Sequence, residues 1–339
     1  MKSEKYDVVV IGAGSAGLSG ALALARSRRS VLVIDSGEPR NAPAGHVHNY
    51  LGRENTPPAE LRALGRAEVT GYGGEVLDAR VLSAETAGDG FRVRLDTGRT
   101  VAARRLLVAT GAVDELPDLP GLAERWGRDV LHCAYCHGWE VRDRAIGVLA
   151  TGPMAVHQAL LFRQLSEDVV LFGHLSQPAV TDTARLAARG IRVVPGEVAA
   201  LEVTGDALTG VRLRSGELVP REAIVVAPRP AARAGFLAGL GLEAADKVVN
   251  GAVIGTAVPA DPGGATAVPG VWVAGNVTDP MAQVVGAAAA GLAAGAAINA
   301  DLVEEETRQA LDRHRTGPFT AEAERELAAR VAGDRRHGL

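Results

Sequence analysis

Cysteine is nearly absent from this sequence, since its 339 residues include only Cys133 and Cys136. Aromatic residues make up only 4% of the chain, so alanine, valine, leucine and glycine have to fill the core. The formal net charge is −4 and no basic run stands out, so nucleic acid is not expected as a partner. No signal peptide is predicted, because Asp7 and a glycine-rich turn interrupt the first apolar stretch. We therefore expect a cytoplasmic protein.

A membrane is not expected as a partner either. The longest apolar run, 284–300, consists mostly of alanine and glycine, which predicts a helix packed within the protein and not a membrane span. Apolar residues make up 47% of the chain, enough for a sizeable core, and the length fits two domains or one large α/β unit.

The two cysteines form a Cys-x-x-Cys pair with His132 and His137 on either side. A disulfide in so small a ring adds little stability, because loop entropy scales with loop length. Redox chemistry is therefore the favoured interpretation, with attack by one thiolate and resolution by the second. Two alternatives are a pair of inert buried thiols and a zinc site that includes the histidines. Zinc is disfavoured because adjacent residues seldom bind one tetrahedral ion and no distant second pair exists, so no metal is expected.

The N-terminal segment has the pattern of a dinucleotide-binding unit. An apolar strand at 7–11 leads into the glycine-rich turn 12–17, a helix at 18–28 and a second strand at 31–34 that ends at Asp35. The glycines let backbone N–H groups approach a pyrophosphate at the positive end of the helix. The acid accepts hydrogen bonds from an adenosine ribose.

A long irregular segment, 36–58, follows and contains four prolines and two histidines. It fits a functional loop or a plain surface loop equally well. Farther along, the patterns predict a helix at 60–71 and strands at 75–82, 91–96, 100–103 and 105–109.

The middle of the chain repeats the pattern of the first unit, but its glycine fingerprint is incomplete. A strand at 145–149, a turn, a helix to about 165 and a strand at 169–172 repeat the pattern, but Ala150 replaces the first glycine. An NADPH-binding unit usually places arginine after the second strand, where this chain has Gly173, His174 and Leu175. The pattern predicts that the fold survives while the nucleotide site is lost or weak.

The C-terminal part returns to the first unit. Further strands are predicted at 191–194, 198–203, 211–214 and 224–227, and segment 270–276 is a strand that enters a turn. The alanine-rich helix from about Met281 would direct its positive N-terminal end at a ligand, which suits the negative charge of a reduced flavin. The charged tail from Glu304 is expected to be a solvated helix with a frayed end.

Taken together, these motifs resemble the low-molecular-weight thioredoxin reductase family of FAD flavoproteins, over about residues 6–303. The resemblance implies an α/β fold of two Rossmann-like domains, in which an NADPH-like domain interrupts the FAD domain, and it implies a homodimer. The implied bounds are 1–118 and 245–320 for the FAD domain, 119–244 for the inserted domain with the Cys-x-x-Cys pair, and 321–339 for the charged tail.

Three departures from the usual family pattern point to a subgroup. His137 stands where an aspartate usually follows the second cysteine, Asn276 follows Gly275 where aspartate is usual, and the NADPH fingerprint is not intact. The pattern His-Cys-x-Tyr-Cys-His-Gly-Trp-Glu looks like the FAD-dependent dithiol oxidases, which close disulfides in small natural products such as gliotoxin and holomycin. That similarity implies a small-molecule dithiol substrate, dioxygen as acceptor, peroxide as product, and weak or absent NADPH binding. The alternatives are an NADPH-dependent thioredoxin-disulfide reductase and a non-enzymatic flavoprotein redox sensor.

The resemblance also implies roles for individual residues. Cys133 is the outer sulfur that a substrate thiolate attacks, and Cys136 is the inner sulfur that passes electrons to the flavin. His137 is the candidate acid and base, because an imidazole can accept a thiol proton and return it, whereas a histidine bonded to backbone is the alternative. An ion pair of His137 with Cys136 would stabilise the thiolate. The predicted cofactor contacts are Gly12, Gly14, Ser15, Ala16, Gly17, Asp35, Ser36, Arg40, Asn41, His48, Asn49, Val81, Ala109, Thr110, Gly111, Gly275, Asn276, Gln283 and Val284.

Other side chains near the cysteine pair are weaker candidates. His132, His46 and His48 are further candidates for proton transfer, and Trp139 is expected to pack against the protein and not to stack on a substrate.

Overall fold

Two separate sheets, the first mixed and the second parallel, form the framework of the chain, and a computed structural model describes it over residues 5–249, 251–316 and 321–333. The elements of the N-terminal part are β1 (Lys5–Ile11), α1 (Ser15–Arg26), β2 (Val31–Asp35), α2 (Pro58–Gly71), β3 (Glu75–Asp78), β4 (Val81–Ala87), β5 (Gly90–Leu95), β6 (Thr100–Val108) and β7 (Ala112–Glu115). The first sheet has the order β3-β2-β1-β6-β5-β4. Strands β3, β2, β1 and β6 are parallel, and β1 and β2 are apolar because both of their faces are covered.

Two strand predictions in this part were wrong in their limits. Residues 75–82 form two strands and not one, because the chain turns at Ala79, whose N–H donates to the Asp35 carbonyl. Residues 100–108 form one strand and not two, since β6 pairs with β5 through its first half and with β1 along most of its length. The irregular segment 36–58 contains only an isolated bridge between Val47 and Thr56 before α2 begins at Pro58.

The middle part builds the second sheet. Its elements are β8 (Val130–Leu131), α3 (Ala134–His137), β9 (Ile146–Leu149), α4 (Ala155–Phe162), β10 (Val169–Phe172), α5 (Val180–Ala188), β11 (Arg192–Val194), β12 (Val198–Thr204), β13 (Ala207–Leu213), β14 (Leu218–Pro220), β15 (Ala223–Val226) and β16 (Arg229–Ala232). The order β11-β10-β9-β15-β8 is parallel throughout, and β12-β13-β14 is a separate antiparallel sheet. Strand β16 pairs antiparallel with β7. The segment that enters the inserted domain and the segment that leaves it therefore lie side by side.

The chain then returns to the first sheet. The remaining elements are β17 (Ala245–Val249), β18 (Ala252–Ala257), β19 (Val271–Val273), α6 (Val284–Thr316) and α7 (Ala321–Gly333). Strand β19 pairs in parallel with β6, which completes the first sheet after an insertion and confirms the discontinuous two-domain α/β fold. Four short 3₁₀ helices occur within the described residues, at Ala123–Arg125, Trp139–Val141, Gly235–Leu240 and Gly275–Val277.

Packing places the return to the first domain earlier than residue 245. Ala234, Leu237, Leu240 and Leu242 belong to the apolar core of the first sheet. An added Cβ at Gly239 would lie 2.7 Å from the Ala84 carbonyl oxygen of β4, so this 3₁₀ helix is closely packed on that sheet. In packing terms, the inserted domain therefore ends just after β16.

Helix α6 packs along α1 through small residues. An added Cβ at Gly291 would lie 1.9 Å from the Ala16 carbonyl oxygen, and one at Gly295 would lie 2.7 Å from the Gly20 carbonyl oxygen. Such close approach requires glycine, which explains the alanine- and glycine-rich composition of this helix. By length and hydropathy alone, Val284–Arg315 also meets the criteria for a membrane span.

Candidate active site

A large cavity, of about 1320 Å³, is lined by residues of both domains and contains nearly all of the predicted site residues in its wall. Gly17 and Asn49 are the two predicted contacts that do not line it. The predicted residues in its wall are Gly12, Gly14, Ser15, Ala16, Asp35, Ser36, Arg40, Asn41, His48, Val81, Ala109, Thr110, Gly111, Cys133, Cys136, His137, Gly275, Asn276, Gln283 and Val284.

The glycine turn after β1 directs the first turn of α1 at this cavity. Gly12 has φ +106°, and an added Cβ would lie 2.4 Å from the Ala109 carbonyl oxygen. Gly17 lies behind the turn, where an added Cβ would lie 1.8 Å from the Gly12 carbonyl oxygen. Gly14 caps the helix without a side-chain hydrogen bond, so the first N–H groups of α1 stay available to an anion. The turn therefore fits a dinucleotide pyrophosphate.

Asp35, at the end of β2, provides an acceptor beside the turn. Its Oδ1 accepts a 3.1 Å hydrogen bond from the Ala13 N–H, which fixes the carboxylate. Its Oδ2 is buried and has no hydrogen-bond partner among the described residues, although Arg66 Nη1 lies 3.8 Å away. An orphaned acceptor in this position fits a ribose hydroxyl.

Arg62 of α2 is a cavity residue that the sequence analysis missed. Its Nε and Nη1 are buried without a hydrogen-bond partner among the described residues. Unpaired guanidinium N–H groups in a cavity wall suit phosphate or ribose oxygens, so Arg62 joins the residues that would hold a dinucleotide. No local motif marks it, because its position depends on how α2 packs against α1.

Three predicted cofactor contacts use their side chains to shape the protein. Arg40 makes two hydrogen bonds with the Asp114 carboxylate and one with the Pro280 carbonyl. Asn276 donates to two carbonyls in the turn before α6, and Thr110 Oγ1 donates to the Arg233 carbonyl. Their hydrogen bonds hold together the segments that form the cavity wall.

The cysteine pair lies in the same wall. Cys133 and Cys136 form a disulfide, and Cys133 Sγ also accepts a 3.2 Å hydrogen bond from the Cys136 N–H. Helix α3 spans only four residues, and the hydrogen bond from the His137 N–H to the Cys133 carbonyl continues the same turn. The disulfide and the dinucleotide turn thus face one space. Within the described residues, no group of three or more His, Cys, Asp or Glu side chains is arranged to hold a metal ion.

Two histidines beside the disulfide are held in the neutral state. Burial lowers the pKa of His132 to about 4, and its ring stacks on Trp126 with centroids 5.6 Å apart. Burial also lowers the pKa of His137, against the opposing effect of Glu140, while His48 and His46 lower it further. A neutral His137 can accept a thiol proton, and its ion pair with a Cys136 thiolate stays a prediction, because both cysteines are joined in the disulfide.

The prediction that Trp139 packs against the protein was wrong. Its side chain is 65% exposed, and the Arg142 guanidinium lies over its ring at 4.3 Å from the centroid. Tyr135, between the cysteines, is also exposed, so two aromatic side chains stand at the surface near the disulfide.

In the middle domain, the segment after β10 folds back onto the end of β9. The N–H groups of Leu175 and Ser176 donate to the Ala150 carbonyl, and Gln177 Nε2 donates to the Gly173 carbonyl. The His174 ring accepts a hydrogen bond from the Val198 N–H, and burial lowers its pKa. Residues 173–178, directly after β10, include no arginine or lysine.

Comparison with known proteins agrees with the fold and the site. The family model described as pyridine nucleotide-disulphide oxidoreductase matches residues 6–291. The thioredoxin reductase sirT of Leptosphaeria maculans is 32% identical over 87% of this chain and 93% of its own length. The thioredoxin reductase tcpT of Claviceps purpurea is 39% identical, but the match spans only 51% of this chain and 56% of that protein.

Solved structures share the architecture over most of the chain. The structure of HlmI is 47% identical with a TM-score of 0.84, and the match covers 91% of this chain and 96% of that chain. An oxidoreductase from Agrobacterium tumefaciens is 35% identical with a TM-score of 0.82, over 88% of this chain and 99% of that chain. The chain therefore belongs to the pyridine nucleotide-disulphide oxidoreductase family, as a thioredoxin reductase-like oxidoreductase of this flavin-dependent group.

Proposed function

We propose that this enzyme binds FAD and closes a disulfide within a small-molecule dithiol, with dioxygen as electron acceptor and hydrogen peroxide as product. The observation that carries the proposal is the shared cavity, because the Cys133–Cys136 disulfide and the dinucleotide turn face one space. This supports entry of electrons from a thiol substrate. Weak binding of NADPH is supported by Ala150, which replaces the first glycine of the second fingerprint, and by the lack of arginine and lysine in residues 173–178. Production of an antibiotic-like natural product is the biosynthetic setting that fits such a reaction.

The thiol chemistry balances as two exchanges. One substrate thiolate bonds to Cys133 Sγ, and Cys136 leaves as a thiolate. The second substrate thiolate then attacks the substrate sulfur of this mixed disulfide, which releases Cys133 and closes the product ring. The substrate loses two electrons and two protons. When bound, FAD supplies the two-electron acceptor that reoxidises the cysteine pair and passes the electrons to dioxygen, which takes up two protons as peroxide.

His137 is the residue best placed to handle these protons. It follows Cys136 directly, lines the cavity, and is kept neutral by burial, so its imidazole can accept a proton from a thiol. Two neighbouring histidines, His46 and His132, also line the cavity and can continue the proton path.

A second candidate is an NADPH-dependent thioredoxin-disulfide reductase. The printed names of the relatives sirT and tcpT favour it, since both are called thioredoxin reductases. The two candidates share the cysteine chemistry and differ in the direction of electron flow.

Oxygen uptake tests the proposal directly. The purified protein should be yellow, acid should release FAD and not FMN, and a small dithiol should drive oxygen uptake with one peroxide formed per disulfide closed. An oxygen electrode with a peroxide assay measures both quantities. Boiled protein and free FAD are the controls, and dithiol oxidation that consumes no oxygen would contradict the proposal.

Replacing His137 should change the pH profile as well as the rate. We expect His137→Gln to lower dithiol turnover at pH 7 by about a hundredfold, the usual scale of general base catalysis. Because burial lowers its pKa, His137 stays neutral to a lower pH than a free imidazole, so the wild-type rate should begin to fall only below the pH at which a free imidazole is protonated. The rate of the variant should instead rise steadily with pH toward the pKa of a free thiol, about 8.5. Parallel pH profiles for the wild type and the variant would contradict the role of His137 as a general base.

We further propose a cytoplasmic homodimer. Val285, Leu292 and Val303 are exposed on α6 and form an apolar stripe, which supports a partner on that face. Sedimentation velocity of the purified protein tests whether it is a dimer.

A further inference from the structure

Segment 36–58, which joins β2 to α2, contacts the inserted domain in two places. The first contact lies at Pro43, where an added Cβ on Gly127 would be 2.5 Å from the Pro43 Cβ. The segment itself is anchored to the first domain, because Arg40 binds Asp114 and the Pro280 carbonyl. It therefore lies as a fixed bridge between the domains.

The second contact reaches the redox helix itself. Asn49 has φ +60°, a left-handed conformation that asparagine tolerates better than most residues. Its Nδ2 donates a 2.6 Å hydrogen bond to the carbonyl of Tyr135, which lies between the two cysteines. A side chain from the first domain thus holds the backbone of α3.

The neighbouring residue His48 adds a contact just beyond the end of α3. His48 Nδ1 lies 2.6 Å from Glu54 Oε1, and His48 Nε2 lies 3.3 Å from Glu140 Oε1, just beyond α3. The other oxygen of Glu54 accepts a 2.9 Å hydrogen bond from the Asn49 N–H. One carboxylate therefore orients both His48 and Asn49 toward the segment 134–140.

From these contacts we infer that Asn49, supported by His48, is a positioning residue, which holds α3 and its disulfide at the cavity face opposite the dinucleotide turn. A four-residue helix cannot hold its own position, because a single turn is unstable without outside contacts. The inserted domain anchors its start, where Gln158 Nε2 donates to the His132 carbonyl. Asn49 anchors its middle from the other domain, so it sets the distance between disulfide and cofactor. This role holds for either direction of electron flow.

The test compares two asparagines in one loop. Asn49→Gly removes the amide and keeps the left-handed backbone at no steric cost. Asn55→Gly is the matched control, since Asn55 has φ +63° in the same segment. In the FAD-loaded protein, we expect Asn49→Gly to speed hydrogen–deuterium exchange of residues 133–140 by about two- to tenfold, the range of one net hydrogen bond. Asn55→Gly should leave that exchange unchanged.

A spectroscopic signal separates positioning from simple rigidity. In a Cys133→Ser background, Asn49→Gly should also weaken the long-wavelength absorption of a thiolate against flavin, when the proteins are compared at equal FAD content. Asn49→Asp, which places a carboxylate against the Tyr135 carbonyl, should reduce the band at least as far. Unchanged exchange in Asn49→Gly, or faster exchange with an unchanged band in both Asn49 variants, would overturn the inference.

Discussion

Replacing Cys136 with serine should abolish dithiol turnover and leave a flavin spectrum without any long-wavelength band. Replacing Cys133 should abolish turnover equally, by at least about a thousandfold, because each exchange needs both sulfurs. In Cys133→Ser, however, the remaining Cys136 sulfur should lie against the oxidised flavin as a thiolate and give a charge-transfer band. The spectra of the two purified variants, recorded at equal FAD content, measure the difference.

Both cysteine variants should fold, so a difference between their spectra reports on the sulfur atoms and not on unfolding. The disulfide closes a ring only three residues apart in sequence, so its loss costs little chain entropy. Serine is close in size to cysteine, and its Oγ can accept the N–H hydrogen bond that Cys133 Sγ accepts now. Thermal unfolding of both proteins is the control. A band in Cys136→Ser and none in Cys133→Ser would show that the inner and outer sulfurs are reversed.

Local sequence pattern was enough to predict the site residues whose position depends on backbone conformation. Gly12 must be glycine because β1 and the Ala109 backbone approach so closely, and that requirement is visible in the spacing of strand, turn and helix. Asp35 is similar, since the end of a parallel strand fixes where its side chain points. Each of these requirements can be recognised from a segment of about 30 residues.

Residues whose role depends on tertiary packing could not be found in that way. Arg62 lies in the cavity only because α2 packs against α1, and no spacing rule connects it with the glycine turn. Asn49 was predicted to bind the cofactor, and that remains a prediction, while its amide bonds a backbone 86 residues away. Helix α5 (Val180–Ala188), which buries the side chain of Leu186, was not predicted either.

The source of the electrons decides between oxidase and reductase. Binding of NADPH needs a tight turn after β9 and a cation for the 2′-phosphate. Here Ala150 occupies the turn, its carbonyl accepts hydrogen bonds from the chain after β10, and His174 is held neutral by burial. One lost charge-assisted hydrogen bond to phosphate costs about 1.5–3 kcal/mol, so NADPH affinity should fall at least about tenfold and further with each missing contact.

Anaerobic stopped-flow absorbance of the flavin, with each donor in turn, measures this directly. NADPH at micromolar concentration should bleach the flavin slowly or not at all, whereas a small dithiol should bleach it through Cys133 and Cys136, and admitted air should restore the yellow colour. The Cys133→Ser protein is the matched control, because it should respond to neither donor although its cavity is intact. The dithiol route depends on the disulfide that shares a cavity with the dinucleotide turn, whereas the NADPH route depends on a turn that begins with Ala150 and is followed by no arginine or lysine in residues 173–178. Rapid bleaching by NADPH, together with reduction of a thioredoxin, would contradict the oxidase and identify a reductase that binds its nucleotide without the usual cation.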